Sequence, residues 1–185
     1  ALLVMLPLVA AIGAFVWPRW ARPVGMAATL ALLFLGAWLV VLVSRSGHLS
    51  QAIGGWAAPL GIRLHADGLS AMLVGAVAAI GVLISIHAHG EFDGSGGRES
   101  ARRARYFWPL WLFLLAALNA LFLSGDLFNL YVTLELLGLA AVALVALSGG
   151  RAALAAAERY LYVSLVGSLL YLMGVALLYG GHGTV

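Results

Sequence analysis

Apolar residues do not alternate along this chain. They run in blocks, separated by short stretches rich in glycine, proline or charge. Six blocks stand out: Ala1–Trp17, Val24–Val43, Leu69–His87, Tyr106–Leu123, Leu127–Leu147 and Tyr160–Tyr179. Each is near the ~20 residues that carry a helix across hydrocarbon. The backbone of a membrane span must satisfy its own hydrogen bonds, so the blocks predict helices. The breaks between them hold Pro18 and Pro23, Gly54-Gly55, the run Asp93 to Gly97, and Ser148-Gly149-Gly150. Such residues end regular structure. The pattern predicts an all-α, polytopic membrane protein, with a single transmembrane domain over residues 1–185 and six transmembrane helices.

One break is more than a linker. Ser44 to Asp67 contains Gly-Gly-Trp-Ala-Ala-Pro-Leu-Gly-Ile-Arg-Leu at 54–64, short apolar pieces flanked by turn residues. This composition fits a small extracellular hairpin between helices 2 and 3 as well as it fits an irregular loop.

Composition agrees with the pattern. Hydrophobic residues make up 64% of the chain and charged ones 9%, against roughly half and a quarter in soluble domains. That excludes an ordinary soluble enzyme, and the high hydrophobicity excludes disorder. All ten basic residues are arginine and no cysteine is present, which removes disulfides and thiolate metal sites. The arginines are scattered among apolar blocks and form no basic face for nucleic acid. No basic region precedes the first block, which argues against a signal peptide.

Charge placement predicts orientation. Arg19, Arg22, Arg98, Arg102, Arg103, Arg105, Arg151 and Arg159 follow helices 1, 3 and 5, whereas only Arg45 and Arg63 follow helices 2 and 4. Arginine collects on the cytoplasmic side, so both ends of this chain are expected outside a cell inner membrane. Trp17, Trp20, Trp56, Trp108, Tyr106 and Tyr179 lie near helix ends and predict an interfacial aromatic belt.

Glu135 is the most informative residue. It lies inside Leu127–Leu147, about 12 Å along the helix from its start. A carboxyl at that depth is costly and marks a functional site by default. Proton handling suits it, because a moving cation can switch such an acid between holding and releasing a proton. The plain alternative is an acid serving one structural hydrogen bond. Tyr131 and Gly138 share its helical face at i−4 and i+3. Tyr131 is placed to hydrogen-bond the carboxyl, and Gly138 to admit another helix. Asn119 is a lone amide on helix 4. Ser164, Ser168 and Tyr171 form an i, i+4, i+7 stripe on helix 6. These groups suit a water chain, or equally helix–helix adhesion. Ala71, Gly75 and Ala79 predict a packing seam on helix 3.

His87 and His89 invite a metal reading. Two residues apart on a helix, they point in different directions, and no third ligand accompanies them. His87 reads better as an end residue or proton acceptor. Asp67 and Asp126 are placed to cap helices 3 and 5. Phosphate-binding, dinucleotide and hydrolase motifs are absent, so no cofactor or metal is assigned.

Two stretches carry a family resemblance. Gly54 to Ile62 with Ala66-Asp67-Gly68-Leu69-Ser70-Ala71-Met72 resembles the helix 2–3 region of antiporter-like proteins, and Ser124-Gly125-Asp126-Leu127-Phe128-Asn129-Leu130-Tyr131-Val132-Thr133-Leu134-Glu135 resembles their helix 4–5 signature. These are the proton-conducting subunits shared by respiratory complex I and Mrp-type cation/proton antiporters; the D-subunit branch is the most similar. The resemblance implies that Glu135 is the helix-5 glutamate in a chain of buried ionisable groups, and that a periplasmic hairpin lies near 54–64. It implies proton or cation/proton translocation, with other membrane subunits as partners and protons and Na+ as cargo. It assigns no redox site to this chain, so enzyme activity is at most that of the proton-pumping part of an NADH:quinone oxidoreductase-like complex. Members have about fourteen helices, and their glutamate works with lysines on a broken seventh helix. This sequence has no lysine, starts without Met and stops before that helix. It is therefore expected to be the N-terminal piece of a longer protein.

Two other readings compete. In one, the helices form a structural or docking module without transport of its own. In the other, His87, His89 and Asp126 serve an intramembrane hydrolase or metalloenzyme.

Overall fold

The computed structural model describes residues 1–53, 61–91 and 97–182, the side chains of 97–101 and 182 excepted. Six helices and two short strands follow in the order α1 (Leu2–Val16), α2 (Ala21–Ser46), β1 (Leu49–Ala52), β2 (Arg63–Ala66), α3 (Gly68–Glu91), α4 (Gly97–Phe122), α5 (Leu127–Leu147) and α6 (Gly150–His182). The last five helices are long and apolar enough to cross a membrane, and α1 is a shorter apolar helix. The all-helical, multi-pass prediction holds, and so does the hairpin.

The hairpin strands sit at the margins of the segment rather than within it. β1 and β2 pair antiparallel, with Leu49 opposite Ala66 and Ala52 opposite Arg63. Residues 54–60, including Trp56, lie outside the described residues.

Helix α5 begins and ends where hydropathy predicts. Asp126 Oδ1 accepts from the Asn129 amide at 2.6 Å, so this helix has its expected cap. Gly149 and Gly150, both at positive φ, turn the chain into α6. Other ends differ. Helix α4 starts at Gly97 and α6 at Gly150, so the arginine-rich segments read as loops are helical turns. The reason is composition. Ala152 to Arg159 is mostly alanine with arginine and glutamate, all strong helix formers. Hydropathy detects where a helix leaves lipid, not where it ends. The 33 residues of α6 span about 50 Å, against ~30 Å of hydrocarbon.

Helix α4 is the hub, packing on α1, α2, α3 and α5. Its buried face carries Trp108, Trp111, Leu112 and Leu115, set against residues such as Ala14, Leu32 and Val74. Trp108 is thus a core residue, not part of the interfacial belt. It is 1% exposed because Gly25 of α2 leaves a socket for its ring. Trp17, Trp20 and Tyr179 do stay exposed near helix ends, whereas Tyr106, also exposed, sits well inside α4. Trp111 Nε1 donates to Ser85 Oγ at 3.0 Å in the same core. The seam on α3 also departs from expectation. Ala71 is buried, but Ala79 faces outward. The buried stripe runs through Val74, Ala78, Gly81, Val82 and Ser85, following the 3.6-residue turn rather than a strict four-residue step. Gly36 of α2 meets this stripe at Ala78 and Gly75. Small residues let the helix backbones approach, which is how membrane helices associate when lipid offers no hydrophobic drive.

The hairpin is tied to the α4–α5 corner. The His65 amide donates to the Leu123 carbonyl at 2.8 Å, and the Gly125 amide to the Arg63 carbonyl at 2.9 Å. Leu64 and Ser124 form a β-bridge between these bonds. At the other end of the bundle, Arg22 donates from Nε to His89 Nδ1 at 2.9 Å and from Nη2 to the His89 carbonyl at 2.7 Å, joining α2 to the end of α3.

Asp67 Oδ1 accepts from the Ser70 amide at 2.8 Å and caps α3 at the hairpin end. This backbone hydrogen bond, with help from the Ser70 side chain, holds its carboxyl below the usual carboxylate range. A lowered folded value contributes stability above the unfolded value and loses it as pH falls through the folded one. Thermal unfolding in detergent is therefore expected to show a loss of stability below about pH 4 that is smaller in Asp67→Asn, which caps without titrating.

Candidate functional site: a carboxyl in the seam between two helices

Helices α5 and α6 run antiparallel and meet along one stripe of each. On α5 the stripe carries Tyr131, Glu135 and Gly138, the three residues that helical spacing predicts on one face. On α6 it carries Tyr171, Ser168 and Ser164. They meet in order. Tyr131 stacks on Tyr171 with ring centres 6.5 Å apart and planes 9° from parallel. Ser168 Oγ donates to Glu135 Oε1. Ser164 Oγ lies 3.0 Å from where a Cβ on Gly138 would stand, so glycine admits α6 at this point. Tyr171 also donates from its hydroxyl to the Leu127 carbonyl at 3.4 Å.

The carboxyl is half-buried, and among the described residues no charged side chain is buried. Helix α6 covers one side of the α5 stripe only, and much of its own outer surface is exposed apolar residue, such as Val163 and Leu177. The hydrogen bond expected from Tyr131 to the carboxyl is made by Ser168, while Tyr131 supplies its ring.

Two predicted neighbours lie elsewhere. Asn119 is buried on α4, where its Nδ2 donates to the Leu3 carbonyl of α1 at 2.9 Å. It joins α4 to α1, and its Oδ1 has no protein partner. His87 is exposed at the far end of α3, a helix that packs chiefly on α2 and α4. His89 beside it is engaged by Arg22. Asp126 sits at the hairpin end as a helix cap. The three residues of the metalloenzyme reading therefore do not converge, and the described residues hold no cluster of three metal-ligating side chains.

Residue spacing did not reveal the junction beside the site. Arg63, His65, Ser124, Gly125, Asp126, Leu127 and Leu130 line an open groove of about 400 Å³. A Cβ on Gly125 would stand 2.8 Å from the Arg63 carbonyl oxygen. Ser124-Gly125-Asp126 thus has three separate duties: a bridge, a close approach and a cap. Its signal was present in the sequence, but its partner strand was not.

These features define a multi-pass helical membrane protein with an acid held in a hydroxyl-lined seam between two spans. Comparison with known proteins identifies the family. Residues 124–185 match the family described as NADH:quinone oxidoreductase/Mrp antiporter, TM. The chain is 34% identical over 158 residues to the D-subunit of the Na(+)/H(+) antiporter of Alkalihalophilus pseudofirmus, covering 85% of this chain and 31% of that protein. It is 36% identical over 189 residues to NADH-quinone oxidoreductase subunit N of Desulforudis audaxviator, covering 100% of this chain and 37% of that protein. Among solved structures it resembles a chain of the Mrp complex from Dietzia sp. DQ12-45-1b, with a TM-score of 0.82 and 28% identity over 100% of this chain and 34% of that one. A chain of the membrane-bound sulfane sulfur reductase, an archaeal respiratory membrane complex, superposes with a TM-score of 0.88 and 28% identity over 99% of this chain and 37% of that one. The chain belongs to the antiporter-like membrane proteins of the complex I/Mrp family. It spans about a third of the length of the curated relatives it matches.

Proposed function

We propose that this chain belongs to an ion-translocating subunit that moves protons, alone or in exchange for sodium, and that Glu135 is its proton-handling acid. The subunit would work beside other membrane subunits of a multisubunit antiporter or a complex I-like membrane arm. The observation that carries the reading is a midspan carboxyl whose sole hydrogen-bonding partner among the described residues is one serine hydroxyl.

The magnitudes favour a labile proton over a structural bond. A charged side chain at a helix centre costs about 2.5–3.5 kcal/mol on insertion scales. One interhelical hydrogen bond returns about 0.6 kcal/mol on average. One hydroxyl does not offset that cost, and the open side of the seam leaves the carboxyl within reach of a cation or water. Tyr131, Ser164 and Ser168 line that seam. Asn119 and His87 lie away from it and take no part in this reading.

Arginine placement supports an orientation. Arg45 and Arg63 stand at the hairpin end, with the other eight arginines toward the opposite end. By the positive-inside rule the hairpin end would lie outside the cell membrane, together with the start of α1 and the end of α6.

The test is Glu135→Gln in the assembled membrane complex, with proton and sodium flux followed in vesicles. Coupled flux is expected to fall to background, with partial return in Glu135→Asp. Flux equal to wild type would instead favour a packing or docking module.

A further inference from the structure

We infer that the contact between Arg22 and His89 is a pH-responsive clasp. It ties the end of α3 to α2 while the His89 imidazole is neutral, and it lets go when the ring takes up a proton. The inference does not depend on the role proposed for Glu135.

Two bonds from one guanidinium make the clasp. Arg22 donates from Nε to His89 Nδ1 at 2.9 Å and from Nη2 to the His89 carbonyl oxygen at 2.7 Å. That carbonyl is among the last four of α3, which have no partner inside the helix. Arg22 therefore caps the C-terminus of α3 from a neighbouring helix. The ring bond sets a condition on this cap. Arginine only donates, so Nδ1 must present its lone pair and the ring must carry its single proton on Nε2. A second proton can go only to Nδ1. It turns an acceptor into a donor facing a donor, and it sets two cations at hydrogen-bond distance.

The neighbourhood offers the added charge little relief. The charged and titratable side chains described at this end are Arg19 just before α2, Arg22 in its first turn, His87 and Glu91 on α3, and Arg102, Arg103, Arg105 and Tyr106 on the early turns of α4. Glu91 is the one acid among them. It stands two residues from His89, a spacing that does not bring helix side chains face to face.

The clasp governs a short segment. One turn before it, Ser85 is buried and accepts from Trp111 Nε1 at 3.0 Å, which anchors α3 to α4. Release is therefore confined to residues 86–91, the stretch that leads out of α3. Because the clasped form excludes the proton, each pH unit below the titration of the free ring shifts the balance up to tenfold toward release. In the orientation proposed above, this end faces the cytoplasm, so the clasp responds to cytoplasmic pH.

Hydrogen exchange tests it in the full-length subunit, within its assembled complex in lipid nanodiscs. Wild type is compared with His89→Asn, whose Oδ1 accepts near the place of Nδ1 without titrating. Taking the ratio of the two at each pH removes the intrinsic pH dependence of exchange. Peptides covering 86–91 should exchange alike in both proteins at about pH 8. At about pH 5 the wild-type peptides should exchange at least roughly tenfold faster. His89→Lys, always a donor, should exchange fast at both values. A ratio that stays near one at the lower pH would overturn the clasp, and so would His89→Lys as protected as wild type at the higher pH. An equal loss of protection across 69–82 would also overturn it, because that marks general loosening of α3 rather than release at its end. Exchange is read without transport, so this result stands apart from that of Glu135→Gln.

Discussion

Gly25→Ala is expected to destabilise the helix bundle by more than any surface change in the chain. A Cβ at position 25 would stand 2.2 Å from Trp108 Cε3 and 2.9 Å from Cδ2 and Cζ3. The indole cannot retreat, because Trp108 is among the most buried side chains and lies at the centre of the α4 face. Overpacking usually costs about 1–3 kcal/mol. A clash with a rigid ring on this scale belongs at the top of that range. Thermal unfolding in detergent would measure it. Removing the ring is no remedy, since Trp108→Ala should cost about 3–5 kcal/mol through the cavity it leaves. The pair Gly25→Ala with Trp108→Leu should recover stability relative to either single change. Equal stability of Gly25→Ala and wild type would show that α2 and α4 can separate freely.

Gly125→Ala should break the junction between hairpin and α4–α5 corner. The added methyl meets the Arg63 carbonyl oxygen at 2.8 Å. That oxygen belongs to the backbone of β2 and accepts the Gly125 amide itself, so no side-chain rotation relieves the contact. Strand β2 must move, and the His65 to Leu123 bond moves with it. Hydrogen exchange at the His65 amide is expected to accelerate roughly tenfold, the factor set by about 1.4 kcal/mol. Unchanged protection at His65 would count against the close approach. The mouth of the groove is built from the same residues, so hairpin and groove should loosen together.

Much of this arrangement is legible in the sequence, and the part that is not has physical causes. Helix α5 is readable to the residue because Asp126 caps it and a Ser-Gly-Gly turn stops it. The facing stripes of α5 and α6 are readable because helical period alone puts Tyr131, Glu135 and Gly138 together, and Ser164, Ser168 and Tyr171 likewise. That these two stripes face each other is not readable. Period assigns residues to a face but leaves the rotation of each helix about its axis open. Trp108 shows the same limit. Its place near the end of an apolar block suggests an interface, and only the notch at Gly25, some 80 residues away in the chain, turns it inward. The polar starts of α4 and α6 escape because hydropathy tracks the solvent, while alanine, glutamate and arginine continue a helix into water.

The single-stripe docking of α6 has a mechanical consequence. The tyrosine stack, the bond to Glu135 and the Gly138 contact all lie on one narrow edge of a long rod. Because successive positions on a helix differ by about 100°, a modest axial roll carries all three off their partners at once. Such a roll would break or remake the three together, and with them the polar contact of Glu135.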